Sequence, residues 1–307
     1  MGINSLEKCR TPVRWFMDIG KDFHYSTSVE DALQTLGQSP GTAKLLAGGT
    51  DLLLDLQQGR HPPVETLVDI TNIPELNSLE FRQQEIFIGA AVPHRVITTS
   101  AEVREHAQAL AEACGLIGGP QVRNVATLGG NVAHALPAAD GTIALMVLNT
   151  RVEIATLEDR RLVALADLFK GPGQSSLDPQ KELLVGFYIP QKEGKQGSAF
   201  KRIMRPQGVA IAILNCAIWL HQEEEVIKDI RISIGPSGPV PKRLLGVENA
   251  LRGKNPAKAE IEDAYKILLA QTSFRTSRHR ATQAYRQEMA RVLLQETLQL
   301  AWERSGS

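Results

Sequence analysis

The stretch Gln121-Val122-Arg123-Asn124-Val125-Ala126-Thr127-Leu128-Gly129-Gly130-Asn131 decides how this chain is read. It sets a Gly-Gly pair between short polar residues. Glycine has no Cβ, so the backbone at such a pair approaches a ligand closely and its N–H groups can point at a phosphate. A second pair stands about 80 residues earlier, in Lys44-Leu45-Leu46-Ala47-Gly48-Gly49-Thr50-Asp51-Leu52. Each pair follows an apolar or small-residue approach and leads into a segment of helical or buried character. Together they read as two walls of one cleft that grips a diphosphate. Asp140 follows in Leu136-Pro137-Ala138-Ala139-Asp140-Gly141, at the front of an apolar helix. Two readings stay open for it: an N-terminal acid stabilised by the helix macrodipole, or an acceptor for a cofactor hydroxyl.

The surrounding chain has 307 residues, a length that suggests two domains or so. Its 34 basic and 34 acidic residues cancel, so no whole-protein field draws nucleic acid or an anionic membrane. Met1-Gly2-Ile3-Asn4-Ser5 opens no long apolar region, and no secretory signal is expected. The longest apolar run, 209–220, is broken by Asn215 and is too short to span a bilayer. Three cysteines, Cys9, Cys114 and Cys216, show no metal-ligand spacing, which fits a cytoplasmic protein. An iron–sulfur cluster would need about four thiolates, so none is expected on this chain. Cys114 and Cys216 fall in apolar segments and read as buried structural thiols.

Periodicity supplies the elements. Ser28 reads as the N-cap of a helix ended by Gly37; 43–47, 66–70 and 85–90 read as strands; 51–58 has helical spacing with Leu52, Leu53 and Leu56 on one side. Residues 106–117 form an amphipathic helix stopped at Gly118-Gly119-Pro120, and 138–148 a buried one. Strands follow at 151–156 and 183–189. A polar linker at 191–197 precedes strands at 198–205, 209–221 and 226–234, then helices at 244–252, 256–271 and 280–303. Strands followed by helices indicate an α+β module. His94, after Pro93, is expected at the surface. The basic run 275–291 reads as a solvated helix face.

With these pieces in order, the chain resembles the flavoprotein (medium) subunits of the molybdenum hydroxylases, the family of xanthine dehydrogenase and carbon monoxide dehydrogenase. The match rests on 44–52, on Val68-Asp69-Ile70 with Ile73-Pro74-Glu75-Leu76, on 121–131, and on Pro137-Ala138-Ala139-Asp140. It extends over roughly residues 22–300. It implies an α+β fold: an FAD-binding domain of two α/β subdomains (PCMH-type) over 1–192, with the subdomain boundary near 75. A C-terminal α+β domain with an antiparallel sheet and a helical bundle follows over 193–307.

The resemblance also implies FAD contacts. Ala47, Gly48, Gly49, Thr50 and Asp51, with Thr127, Gly129, Gly130 and Asn131, would wrap the pyrophosphate, and Asp140 would bind the ribityl or ribose region. Leu184 would lie near the flavin ring. Arg202, in Phe200-Lys201-Arg202, matches the family's basic residue. Lys44, Leu52, Ile117 and Arg123 complete the expected set. Arg205-Pro206 departs from the family's usual order, and Ala210 stands where many members have Asp. Ser277-Arg278-His279-Arg280 and Tyr285-Arg286 resemble a closing motif, which implies that they help dock a partner subunit.

The implied function is electron transfer. FAD on this chain would take electrons from [2Fe-2S] clusters on an iron–sulfur small subunit and pass them to NAD, oxygen or a quinone. A molybdopterin-binding large subunit would carry the molybdenum cofactor, in a heterotrimer or a dimer of heterotrimers. No side chain here is assigned as acid, base, nucleophile or metal ligand. Two alternatives stay open: a self-sufficient FAD-dependent oxidoreductase acting without partners, and a nucleotide-binding scaffold without redox function.

Overall fold

The computed structural model describes residues 20–39, 41–205, 211–256 and 261–306. Met1 to Ser5, Cys9, Pro206 and Ala210, on which the sequence raised expectations, lie outside them.

The chain begins with β1 (Gly20–Tyr25), α1 (Val29–Gln38), β2 (Ala43–Leu46), α2 (Leu52–Gln57) and β3 (Val64–Asp69). The strands form a parallel sheet in the order β1-β3-β2. Parallel neighbours need crossovers, and the two helices provide them. Ser28 caps α1 by accepting the Asp31 amide at 3.0 Å. Gly37 does not end that helix, which runs on to Gln38 with Ser39 as its cap. Successive strand residues face opposite sides of a sheet. Thus Leu52, Leu53 and Leu56 of α2 pack on Leu46, Val64 and Leu67. Val29, Leu33 and Leu36 of α1 share a core with Ala43 and Val68.

The next unit opens with β4 (Leu79–Arg82) and β5 (Glu85–Gly89). Six helices follow: α3 (His94–Thr99), α4 (Ala101–His106), α5 (Gln108–Leu116), α6 (Pro120–Val125), α7 (Leu128–Ala133) and α8 (Asp140–Val147). Then come β6 (Arg151–Ala155), β7 (Arg160–Ala164), the short β8 (Phe169–Gly171) and β9 (Gln174–Ser175), and β10 (Leu183–Pro190). The main sheet has the order β4-β5-β10-β6-β7, with its paired neighbours antiparallel. The single helix expected over 106–117 is broken at Ala107 into α4 and α5. The physical cause lies far along the chain. The Ala109 amide, in the first turn of α5, donates to Ser198 Oγ at 3.1 Å, so the helix start is capped by another domain. Every residue of α8 is buried, as expected for that apolar segment.

The last unit is an antiparallel sheet of β11 (Gln196–Ile203), β12 (Leu214–Glu223) and β13 (Val226–Gly235). Over it lie α9 (Leu245–Leu251), α10 (Ile261–Gln271) and α11 (Gln283–Ser305). Leu293, Leu294, Leu298 and Ala301 of α11 share a core with Ile218, Leu220 and Ile232. This is the α+β architecture expected. The opposite face of the sheet sends Phe200, Ala217 and Trp219 into the core of the preceding unit. Glu112 of α5 pins the contact: its carboxylate pairs with Arg304 of α11 and accepts the Phe200 amide at 2.9 Å. Among the described residues, no helix is long and apolar enough to cross a membrane.

Candidate functional site

The two glycine stretches meet. A Cβ on Gly48 would fall 2.1 Å from the Val125 carbonyl oxygen and 2.7 Å from Ala126 Cα, so the second stretch rests directly on the first. Gly49 takes φ +68°, a left-handed turn that glycine adopts without strain. Among the described residues no hydrogen bond leaves the amides of Gly48, Gly49, Thr50 or Asp51. These four N–H groups are open donors on a half-exposed turn.

The second stretch is different. It is the first turn of α7, capped by Thr127, rather than a loop. Its amides are already engaged: Leu128 with Val92 O at 3.2 Å, Gly129 with Ala90 O at 2.9 Å, Gly130 with Thr127 Oγ1 at 3.1 Å and Asn131 with Thr127 O at 3.0 Å. Open N–H groups were expected here, but a helix start satisfies its own donors through its cap. What this wall offers is shape. Gly129 is needed for packing, since a Cβ would meet Ala90 O at 2.5 Å. Gly130 is exposed, and a Cβ there would meet only Thr127 Oγ1, at 3.3 Å. The fold itself therefore places almost nothing against Gly130. Asn131 turns its side chain inward to accept the Thr142 amide at 3.3 Å.

Asp140 and Arg202, expected separately as cofactor contacts, are brought together. Arg202 Nη1 donates to Asp140 Oδ2 at 2.5 Å, and both side chains are 6% exposed. Asn215 Nδ2 donates to Asp140 Oδ1 at 2.6 Å. Burial pushes the Asp140 carboxyl above its ordinary value, while Arg202 and Asn215 pull it back down. The Arg202 Nε–H is buried without a partner. Such a donor is costly to leave unpaired, which makes it a natural contact for a ligand.

The remaining expected residues scatter around this centre. Lys44 sits half-buried on β2. Leu52 is taken up by packing beneath α2. Arg123 donates to the carbonyls of Ile117 and Gly118, at 3.2 and 2.7 Å, and so holds the turn between α5 and α6. Leu184 is buried in the main core, beside an irregularity in the β10–β6 pairing. His134 caps the end of α7.

Three residues were misjudged or missed. His94 is 1% exposed rather than at the surface, because α3 begins by packing under the Ala126–Thr127 backbone. Burial, with Arg123 adding to it, lowers its pKa to about 4. Arg286 does not lie on a solvated face: it is 2% exposed and donates to the Ile213 carbonyl. Asn215 was noted only as a break in an apolar run. A polar residue inside a strand that should be buried is the signal that could have found it. Cys114 and Cys216 are free, buried thiols, as expected. Burial pushes the Cys216 thiol up to about 12.

Comparison with known proteins agrees with this geometry. Residues 18–192 match the family described as the FAD binding domain in molybdopterin dehydrogenase, and residues 198–301 the CO dehydrogenase flavoprotein C-terminal domain. The xanthine dehydrogenase FAD-binding subunit of Escherichia coli O157:H7 is 29% identical over 92% of this chain and 97% of its own length. The carbon monoxide dehydrogenase medium chain of Hydrogenophaga pseudoflava is 30% identical, over 92% and 97% respectively. The solved structure of carbon monoxide dehydrogenase from Hydrogenophaga pseudoflava lacking the Mo-pyranopterin moiety superposes with a TM-score of 0.88 at 29% identity, covering 94% of this chain and 99% of that one. An open-amide glycine turn, an uncovered glycine on the facing helix and a buried unpaired arginine N–H thus sit in a chain that belongs to the FAD-binding subunits of the molybdenum hydroxylase family.

Proposed function

We propose that this chain is the electron-transfer subunit of such a complex, with FAD held between the Gly48–Asp51 turn and the Thr127–Asn131 helix start. The observation that carries the reading is the complementarity of the two walls. One has four donors with nothing to bond and the other has a glycine with nothing packed on it. The fit is chemical as well as steric. The amides of Gly48, Gly49, Thr50 and Asp51 would hold the pyrophosphate oxygens, and the bare Cα of Gly130 lets those oxygens approach. Asp140, Arg202 and the neighbouring Leu184 strand would face the ribityl chain and ring. The Arg202 Nε–H is the donor left free for them.

Bound FAD supplies the redox chemistry, and the protein supplies binding, orientation and electrostatics. Electrons would arrive from iron–sulfur clusters on a small subunit and leave to NAD, oxygen or a quinone. The molybdenum cofactor would sit on a large subunit. The relatives' names concern xanthine and carbon monoxide, which fits a division of labour in which the oxidised substrate is recognised on another polypeptide. The test is a visible absorption spectrum of the purified protein, with mass identification of released nucleotide. Non-covalent FAD near one per chain supports the reading; a protein that takes up no FAD, alone or with its partner subunits, overturns it.

A further inference from the structure

Asn215 is completely buried in the middle of β12. An amide side chain is costly to bury without partners. Its partner explains its presence. Arg202 on β11, Asn215 on β12 and Gly235 on β13 are direct cross-strand neighbours. At this level of the sheet, Arg202 and Asn215 each grip one oxygen of the same carboxylate, that of Asp140, which belongs to the preceding domain. Asn215 Nδ2 also reaches the Ala138 carbonyl at 3.3 Å, just before α8 begins. The third member of the row has to be small. A Cβ on Gly235 would fall 2.6 Å from the Pro137 carbonyl oxygen and 2.8 Å from Asn215 Oδ1. One row across three strands is therefore shaped around the front of α8.

We infer that Asn215 is a positioning residue for the cofactor site. By fixing Asp140 it sets where the Arg202 guanidinium lies, and so which of its N–H groups is left for FAD. The inference rests on the reading that FAD binds here with Asp140 and Arg202 beside it. It assigns the C-terminal domain a direct share in building the site. Arg202 has three nitrogens. The Asp140 carboxylate takes Nη1, Nη2 lies 3.0 Å from the Met204 sulfur, and Nε alone is buried without a partner. Without the Asn215 amide, Asp140 loses one of its two anchors. The fork of Arg202 can then rotate about the other.

The experiment is a double-mutant cycle on the full chain, co-expressed with its partner subunits where these are needed for FAD uptake. Asn215→Leu keeps the volume and removes the amide; Asp140→Asn removes the charge that it positions. FAD affinity is read by flavin fluorescence titration, and the environment of the bound flavin by its visible absorption band at saturation. Asn215→Leu is expected to weaken FAD binding about tenfold or more, as loss of a charge-assisted hydrogen bond does. It should also shift the flavin band in the direction that Asp140→Asn does. Added to Asp140→Asn, it should cost little more, because residues acting through one another are not additive. If the two losses simply multiply, or if Asn215→Leu leaves affinity and spectrum unchanged, the inference is wrong. If the unmodified protein binds no FAD, the underlying reading fails and this one with it. Should Asn215→Leu not fold, Asn215→Ser, which is smaller and keeps a hydroxyl, is read in the same cycle.

Discussion

Gly48 and Val125 touch backbone to backbone: a Cβ on Gly48 would lie 2.1 Å from the Val125 carbonyl oxygen. Neither atom can yield as the end of a flexible side chain would. Gly48→Ala must therefore push the two walls of the cleft apart. Overpacking of this kind costs on the order of 3 kcal/mol. The variant is expected to unfold at lower denaturant concentration and to lose FAD, because the four open amides of the turn move with Gly48. Chemical denaturation and flavin content measured on one preparation check both effects.

Gly130 should behave in the opposite way. Its exposed Cα has only Thr127 Oγ1 nearby, and it lies inside a short helix where glycine is a poor former. Gly130→Ala is expected to leave stability unchanged or to raise it by a few tenths of a kcal/mol or so. Gly130→Val places a branched carbon where the diphosphate approaches, and FAD should be lost from a folded protein. Full FAD occupancy in the valine variant would show that the pyrophosphate does not pass over this helix start.

These two glycines mark where the sequence was legible. The pattern of residue types located both walls of the cleft and most of the regular elements, because hydrophobic period and glycine placement are local signals. It did not show that Gly48 is held by Val125 whereas Gly130 is held by nothing, since that depends on which backbone arrives from elsewhere. The break at Ala107 escaped notice for the same reason: the cap that starts α5 comes from Ser198. Asp140 and Arg202 were each picked out by their motifs. Their mutual pairing, and the Asn215 that fixes it, is a cross-strand relationship with no trace in either motif.

His94 ties stability to pH. Its imidazole is 1% exposed, and burial holds its pKa at about 4, against 6.5 when free. A base with a depressed folded value stabilises the fold fully above its unfolded value, and that contribution is lost as pH falls from 6.5 toward about 4. The span corresponds to about 3 kcal/mol at 1.36 kcal/mol per pH unit. Denaturation measured at a series of pH values across this window should show the loss in the unmodified protein and a flatter profile in His94→Leu. Equal slopes in the two proteins would mean that the imidazole is hydrated or paired in solution.

Removing Arg202 leaves the buried Asp140 carboxylate with the Asn215 amide alone. Breaking a buried pair from one side costs about 3–5 kcal/mol, most of it the uncompensated charge. Arg202→Met should therefore be strongly destabilised, and Asp140→Asn on top of it should recover most of the loss. The sign of the pH dependence follows from the direction of the Asp140 shift. Burial already raises this carboxyl above 3.8, and loss of the guanidinium removes a group that pulls it back. An acid whose folded value is raised favours the native state when protonated, so its contribution is present below the unfolded value and lost as pH rises through the folded one. Arg202→Met should accordingly be closer to the unmodified protein at about pH 5 than at about pH 8, whereas the double variant should show no such trend. If Arg202→Met is equally unstable at both, its loss reflects packing of the arginine stem rather than charge, and Asp140 is then neutral or hydrated in the native state.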